Sequence, residues 1–233
     1  MIPFKKFLLE APVDENAFAV YAFGRLNPPT IGHGKLLQKL MDEGAEHHFM
    51  FLSHGKHDKV GAKRVERDAN GYDTDPLDYN TKLKYVKMMF PEFNIMDEAL
   101  VISPHTGAEF LVKMGYKNIA IVGGSDRAPE FEKYLKPWVV TNLGVNFQVI
   151  NAGMRDADSC DDVQTASQED LECMASASMA RLFVSQGDVA GLRKITPNTI
   201  REPQFGQFFK AIESGMGEQH QKVGNRWKPI SDL

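Results

Sequence analysis

The run Gly24-Arg25-Leu26-Asn27-Pro28-Pro29-Thr30-Ile31-Gly32-His33 concentrates the residue types that handle phosphate. It follows Phe18 to Phe23, a short aromatic and β-branched run that reads as a buried strand. It precedes Gly34 to Met41, where Leu36, Leu37, Leu40 and Met41 recur at helical spacing. A strand ending at Gly24, a turn through Asn27-Pro28-Pro29 and a helix starting near Thr30 to Gly32 would aim unpaired backbone N–H groups above the strand's carboxyl end. That is an anion site. Gly32 lets a phosphate approach the backbone, and His33, in the first helical turn, can donate to the same anion. The plain alternative is a proline-stiffened turn with an incidental histidine; the placement of the whole string after a strand argues against it.

The elements that would position this string alternate as βα units, so a mainly parallel sheet is expected. His48 to Leu52 reads as a second strand, and Asn80 to Phe90 as a helix with Leu83, Val86, Met89 and Phe90 on one face. Phe93 to Met96 and Leu100 to Ile102 read as short strands, and Thr106 to Met114 as a helix stopped by Gly115. Asn118 to Val122 is a buried strand running into Gly123-Gly124. Glu130 to Lys136 reads as a helix, Val145 to Ile150 as a strand, and Ser178 to Ser185 and Val189 to Lys194 as helices. Two polar stretches, His54 to Pro76 and Asn151 to Glu172, exceed ordinary connections, the first basic in its middle and the second acidic. Pro203 to Leu233 reads as a helix around Phe205 to Ile212 followed by a polar tail.

Composition narrows the partners. Lys+Arg 27 against Asp+Glu 31 gives a net charge of -4, so the chain is a poor general polyanion binder and a nucleic-acid partner is disfavoured. Two cysteines, Cys160 and Cys173, supply no disulfide framework and no four-ligand zinc site. Apolar runs of about ten residues are too short for a bilayer, so a soluble intracellular protein is expected. His54 and His57 have a metal-like spacing without an evident third ligand, and a solvated loop pair is favoured. His47-His48 reads as a helix-to-strand junction and Met88-Met89-Phe90 as core packing.

Three segments in order carry a family likeness. Thr30, Gly32 and His33 fill the pattern of the (H/T)xGH signature of the nucleotidyltransferase superfamily. Ile121-Val122-Gly123-Gly124-Ser125-Asp126-Arg127 is similar to its strand-then-glycine segment, and Ser176-Ala177-Ser178-Met179-Ala180-Arg181 resembles its (S)x(S/T)xxR motif. The likeness runs from about Val20 to Pro197. Within the superfamily the chain resembles the members encoded by tailed bacteriophages, through GRxNPPTIGH, the pattern at Pro76, Leu77 and Tyr79, and the acidic run before Ser176. It departs from the pattern in the stretch between Val163 and Ser176, and in Met179-Ala180, where a basic residue is usual.

The resemblance implies a Rossmann-like α/β three-layer sandwich with a mainly parallel sheet and short terminal appendages: residues 1–16, a nucleotidyltransferase domain over 17–200, and a C-terminal helix and tail over 201–233. It implies transfer of a nucleotidyl group from ATP or CTP to a phosphorylated small-molecule acceptor, with release of pyrophosphate. The TxGH form favours adenylyl transfer, and a nicotinamide mononucleotide-type acceptor ranks first. Mg²⁺ would arrive on the triphosphate, with no protein metal site. His33, Thr30 and Arg181 would be catalytic, His33 on the α/β-phosphate oxygens and Arg181 on the β/γ-phosphates. Arg25, Asn27, Gly32, Gly123, Gly124, Asp126, Ser176 and Ser178 would bind the nucleotide or acceptor.

Each accessory residue has a plainer role open to it. Ser176 or Ser178 can be a helix N-cap, Arg181 an exposed helix arginine, Gly123-Gly124 a tight turn, and Asp126 a cap near Glu130. The basic stretch from Lys56 to Arg67 reads as a lid over the triphosphate or as a plain charged loop, and Asp156 to Asp162 as a solvated loop. Met1 to Ala11 resembles the capsid-targeting peptides of proteins packaged in phage heads, with Leu8-Leu9-Glu10 as the protease site; an amphipathic starter helix is the alternative. The competing function, kept open by the Met179-Ala180 departure and the stretch before it, is a non-catalytic nucleotide-binding phage structural or head-packaged protein, and the expected location is the infected host cytoplasm, with packaging in the virion as the alternative.

Overall fold

The computed structural model describes residues 13–14, 16–44, 47–55, 66–68, 70–153, 174–223 and 226–232. The candidate targeting peptide, the basic stretch from Lys56 to Arg64, His57, the acidic run and both cysteines lie outside them.

Four strands, β1 (Phe18–Gly24), β2 (His48–Leu52), β3 (Asn118–Gly123) and β4 (Asn146–Asn151), form one parallel sheet in the order β2-β1-β3-β4. Side chains alternate across it because successive residues of a strand point to opposite faces. Val20 and Ala22 of β1 join Met50, Leu52, Ala120 and Val122 in one core, while Ala19 and Tyr21 join Phe49, Phe51, Ile119 and Ile121 in the other. Both faces are covered, as an all-parallel sheet requires. This is the expected α/β three-layer arrangement.

On the first face lie α1 (His33–Gly44), α2 (Tyr79–Met89), α5 (Ala177–Ser185), α6 (Val189–Lys194) and α7 (Gln204–Met216). The second face holds α3 (Pro104–Lys113) and α4, residues 128–143. Local chemistry sets the ends. Asp78 caps α2 by accepting from the Thr81 N–H at 3.0 Å, and Ser103 and Thr106 form a reciprocal capping box at α3 ahead of Pro104. Helix α4 passes through a π-helical turn, Phe131–Leu135, directly before Pro137, which has no N–H to give the Lys133 carbonyl.

Two of the expected strands need revising. Phe93 to Met96 contributes one parallel bridge, Met50 to Ile95, along the free edge of β2. Leu100 to Ile102 is not a strand: Leu100 is 75% exposed, and Ser103 must be free to cap α3. The expected helix around Phe205 to Ile212 is α7, Gln204–Met216. Phe205, Phe208, Ile212 and Met216 recur at helical spacing along α7 and are buried in the first core, Phe208 against the Tyr85 ring at 4.7 Å. Beyond them β5 (His220–Val223) and β6 (Arg226–Pro229) make an antiparallel hairpin. Among the described residues no helix is long and apolar enough to cross a membrane.

Candidate functional site

In-register pairing brings Gly24, Leu52, Gly123 and Asn151 to the carboxyl edge of the sheet. The strand order reverses direction between β1 and β3, where parallel α/β sheets open a crevice for ligands. The turn after β1 lies at that point. Leu26 takes φ 42°, left-handed backbone that a leucine adopts at a cost of about 1–3 kcal/mol. Asn27, Pro28, Pro29, Thr30, Gly32 and His33 are all buried, and Arg25 is exposed.

The turn is held by groups far away in sequence. The Asn27 side chain donates to Asp75 and to the Leu77 carbonyl (2.7 Å) and accepts from the Leu77 N–H (3.0 Å). The Thr30 hydroxyl donates to the Ala175 carbonyl at 3.0 Å, and the Thr30 N–H donates to His33 Nδ1 at 3.0 Å. With Nδ1 accepting, the ring proton sits on Nε2. The expected row of unpaired N–H groups is not what the turn presents. Ile31 N–H donates to the Ile195 carbonyl at 2.9 Å, and the His33 and Gly34 N–H groups donate to Thr30 and Ile31 carbonyls. The turn's donors find protein acceptors, within it and at Ile195 beyond α6, because it is packed between α5, α6 and the segment before α2.

Arg181 reaches this turn from α5. It is 3% exposed, and its guanidinium donates to the Asn27 carbonyl (3.1 Å), the Thr74 carbonyl (3.3 Å) and the Ser178 hydroxyl (3.0 Å). Its Nε has no hydrogen-bond partner among the described residues; the Asp68 carboxylate faces it at 3.7 Å, ion-pair distance. Burial pulls the Arg181 pKa below its ordinary value; Asp68 opposes this, and the positive charge of Arg25 adds to it. A buried cation so placed is stabilised by an incoming anion. Arg25 itself donates to Glu66 (3.1 Å) and Thr74 (3.3 Å) at the rim. Ser176 serves as the α5 N-cap, accepting from the Met179 N–H at 3.1 Å.

The Gly123-Gly124-Ser125-Asp126 turn ends β3, one strand away. A Cβ on Gly123 would come within 2.8 Å of the Phe131 ring, so this glycine admits α4 onto the strand. Ser125 donates to Asn151 at 3.0 Å, and Asp126 is exposed. The partners of this turn belong to α4 and the end of β4, whereas hydrogen bonds tie Thr30 to His33, and Arg181 to Asn27 and Ser178, at the neighbouring turn.

Sequence reasoning missed the segment from Glu66 to Asp78 as a contributor. Asp73 and Asp75 are buried there; burial pushes the Asp75 carboxyl above its ordinary range, and Lys82, the Asn27 hydrogen bond and Arg25 oppose that. Lys82, fully buried on α2, donates to the Ser53 carbonyl. A legible signal existed: Lys82 stands four residues before Val86 and seven before Met89, an apolar helix position that should not hold a free cation. His54, weighed as a metal ligand, stacks on the Tyr79 ring at 4.5 Å and bonds the Ala99 carbonyl. Among the described residues no group of three or more His, Cys, Asp or Glu is placed to hold a metal ion. A groove of about 740 Å³ shares Ile31 and Gly34 with the turn but is lined by none of the predicted site residues.

No protein-family model matches the sequence, and no curated protein matches it. Among solved structures, the chain is similar to a proposed nicotinate-nucleotide adenylyltransferase from Vibrio parahaemolyticus. The TM-score is 0.46 and the identity 15%, over 85% of this chain and 98% of that one. It is also similar to Thermotoga maritima TmcAL bound with α-thio ATP, with a TM-score of 0.46 and 11% identity, over 86% of this chain and 57% of that one. Neither likeness bears on activity.

Proposed function

We propose that the crevice at the carboxyl end of β1 binds a nucleoside triphosphate, with its Mg²⁺ as part of the substrate, and that the chain transfers the nucleotidyl group to a phosphorylated small molecule. The observation that carries this is the convergence of Arg181 on the Asn27–His33 turn. Residues 154 positions apart are joined at one buried turn, and among the described residues the arginine's Nε–H has no hydrogen bond, with the Asp68 carboxylate facing it at 3.7 Å. In the reaction an acceptor phosphate oxygen attacks the α-phosphorus. The bond from that phosphorus to the bridging oxygen of the β-phosphate breaks, and pyrophosphate leaves with the bonding pair. The protein's part is positioning and charge stabilisation. His33 Nε2–H donates to an α/β-phosphate oxygen as charge builds, while Arg181 and Arg25 face the β- and γ-phosphates. Adenylyl transfer and a nicotinamide mononucleotide-type acceptor rest on the TxGH resemblance alone.

One observation favours a second reading. Three N–H groups of Arg181 are spent on protein acceptors, as in a binding site that holds nucleotide without turning it over. A pyrophosphate-release screen of ATP and CTP against phosphorylated acceptors separates the two. The transferase reading predicts release with at least one pair and a drop of about 10²–10³ in rate for His33→Ala, the usual cost of one preorganised donor. Release that survives His33→Ala unchanged would overturn the role given to His33. Nucleotide binding with no release for any acceptor would favour the second reading.

A further inference from the structure

The C-terminal hairpin grips the segment that holds Arg181. A Cβ on Gly71, at φ 81°, would lie 1.7 Å from the His220 carbonyl oxygen, so the two backbones meet as closely as glycine allows. The His220 N–H donates to the Gly71 carbonyl at 3.1 Å, and the Gln219 side chain donates to the Asn70 carbonyl at 2.9 Å. Arg67 donates to the same Gly71 carbonyl at 3.0 Å and to His220 Nε2 at 3.1 Å. His220 Nε2 is an acceptor because Nδ1 donates to the Glu218 carbonyl at 2.8 Å.

From that contact a continuous set of bonds leads inward. Asp68 Oδ1 accepts from the Asn70 and Tyr72 N–H groups, closing the turn that carries Gly71, while Oδ2 of the same carboxylate faces Arg181. Arg67 and Asp73 form an antiparallel bridge, and Thr74 N–H donates to the Glu66 carbonyl at 2.9 Å. Thr74 then gives its own carbonyl to Arg181, and Asp75 and Leu77 hold Asn27. At the far end of the segment a Cβ on Gly215 of α7 would lie 1.9 Å from the Pro76 carbonyl oxygen, a second backbone-close contact with the C-terminal region.

We infer that the hairpin is a clasp and that His220 is a positioning residue. By fixing the 66–78 segment from outside, it sets the carbonyl and carboxylate that orient the Arg181 guanidinium for the triphosphate. The assignment of Arg181 to the triphosphate rests on the function proposed above; the clasp itself does not.

The test uses three full-length variants. His220→Ala removes the acceptor for Arg67, His220→Gln offers a replacement oxygen, and Gly71→Ala drives the hairpin off the segment. Amide hydrogen exchange is followed at Asp68, Thr74 and Leu77, with Ile119 to Val122 of β3 as the internal reference. In His220→Ala the three segment amides should exchange about tenfold faster, the loss of roughly one hydrogen bond's contribution, with the β3 amides unchanged. Gly71→Ala should give a larger acceleration, and His220→Gln should restore the native rates. In turnover, KM for the nucleotide should rise severalfold in His220→Ala while kcat stays within about twofold, because the defect lies in positioning a binding group. Segment amides that exchange at native rates in both His220→Ala and Gly71→Ala would overturn the clasp. Faster exchange with unchanged KM in an active enzyme would overturn its link to Arg181. Faster exchange in a protein that never releases pyrophosphate would uphold the clasp and tell against the transferase reading alone.

Discussion

Two strand-to-helix turns stand side by side on the carboxyl edge of the sheet, and they are built in opposite ways. The turn after β1 is buried and tied to Asp75, Leu77, Ala175 and Arg181, partners 48 to 154 residues away. The turn after β3 is tied to groups nearer in sequence: Phe131 under Gly123, an ion pair between Arg127 and Glu130 at 3.0 Å on the surface, and, 26 residues on, Asn151 beside Ser125. Both carry glycines and polar residues in a pattern that resembles nucleotide-binding motifs. The difference lies in what the rest of the chain invests in them. Ordering distant segments around one turn costs loop-closure and side-chain entropy, which a simple chain reversal does not need. The first turn is therefore held by distant segments, and the second mainly by its own helix and the neighbouring strand, with a glycine that admits the helix.

That contrast can be broken by substitution. Asn27→Ala should have the largest effect. It removes a buried side chain with three hydrogen bonds and leaves Asp75 and the Leu77 backbone short of partners, at a cost on the order of 3 kcal/mol in denaturant unfolding. A loss below 1 kcal/mol would mean that the turn is not held as described. Asp126→Ala should have the smallest effect, within about 0.5 kcal/mol in stability because its side chain is exposed, and within a few-fold in turnover. If that variant instead lost turnover at full stability, the second turn would belong to the site after all.

The sheet was legible because its strands are short apolar runs that must be buried on both faces, and α1, α2 and α5 because their apolar residues recur at helical spacing. Leu100 to Ile102 misled for the same reason: three apolar residues look like a strand until the capping demands of Ser103 are counted. That Arg181 of α5 would meet the turn after β1 was legible through motif order. The supporting segment was not, because Asp68, Thr74 and Asp75 stand in a run of charged and polar residues with no periodicity, and only tertiary packing distinguishes a buried aspartate from a solvated one. The hairpin was hidden likewise. His220 to Pro229 carries few apolar residues, and its pairing is bought by backbone contact with Gly71, which no side-chain pattern announces.

The account turns on a triphosphate lying against Arg181. Thermal unfolding with and without Mg²⁺-ATP and Mg²⁺-CTP, for the native chain and for Arg181→Met, tests this most directly. A nucleotide at a hundred times its Kd should stabilise the native chain by about 2.7 kcal/mol. The folded Arg181→Met chain should show little or none of that gain. Equal stabilisation of both chains, or none of the native one by either nucleotide, would contradict it.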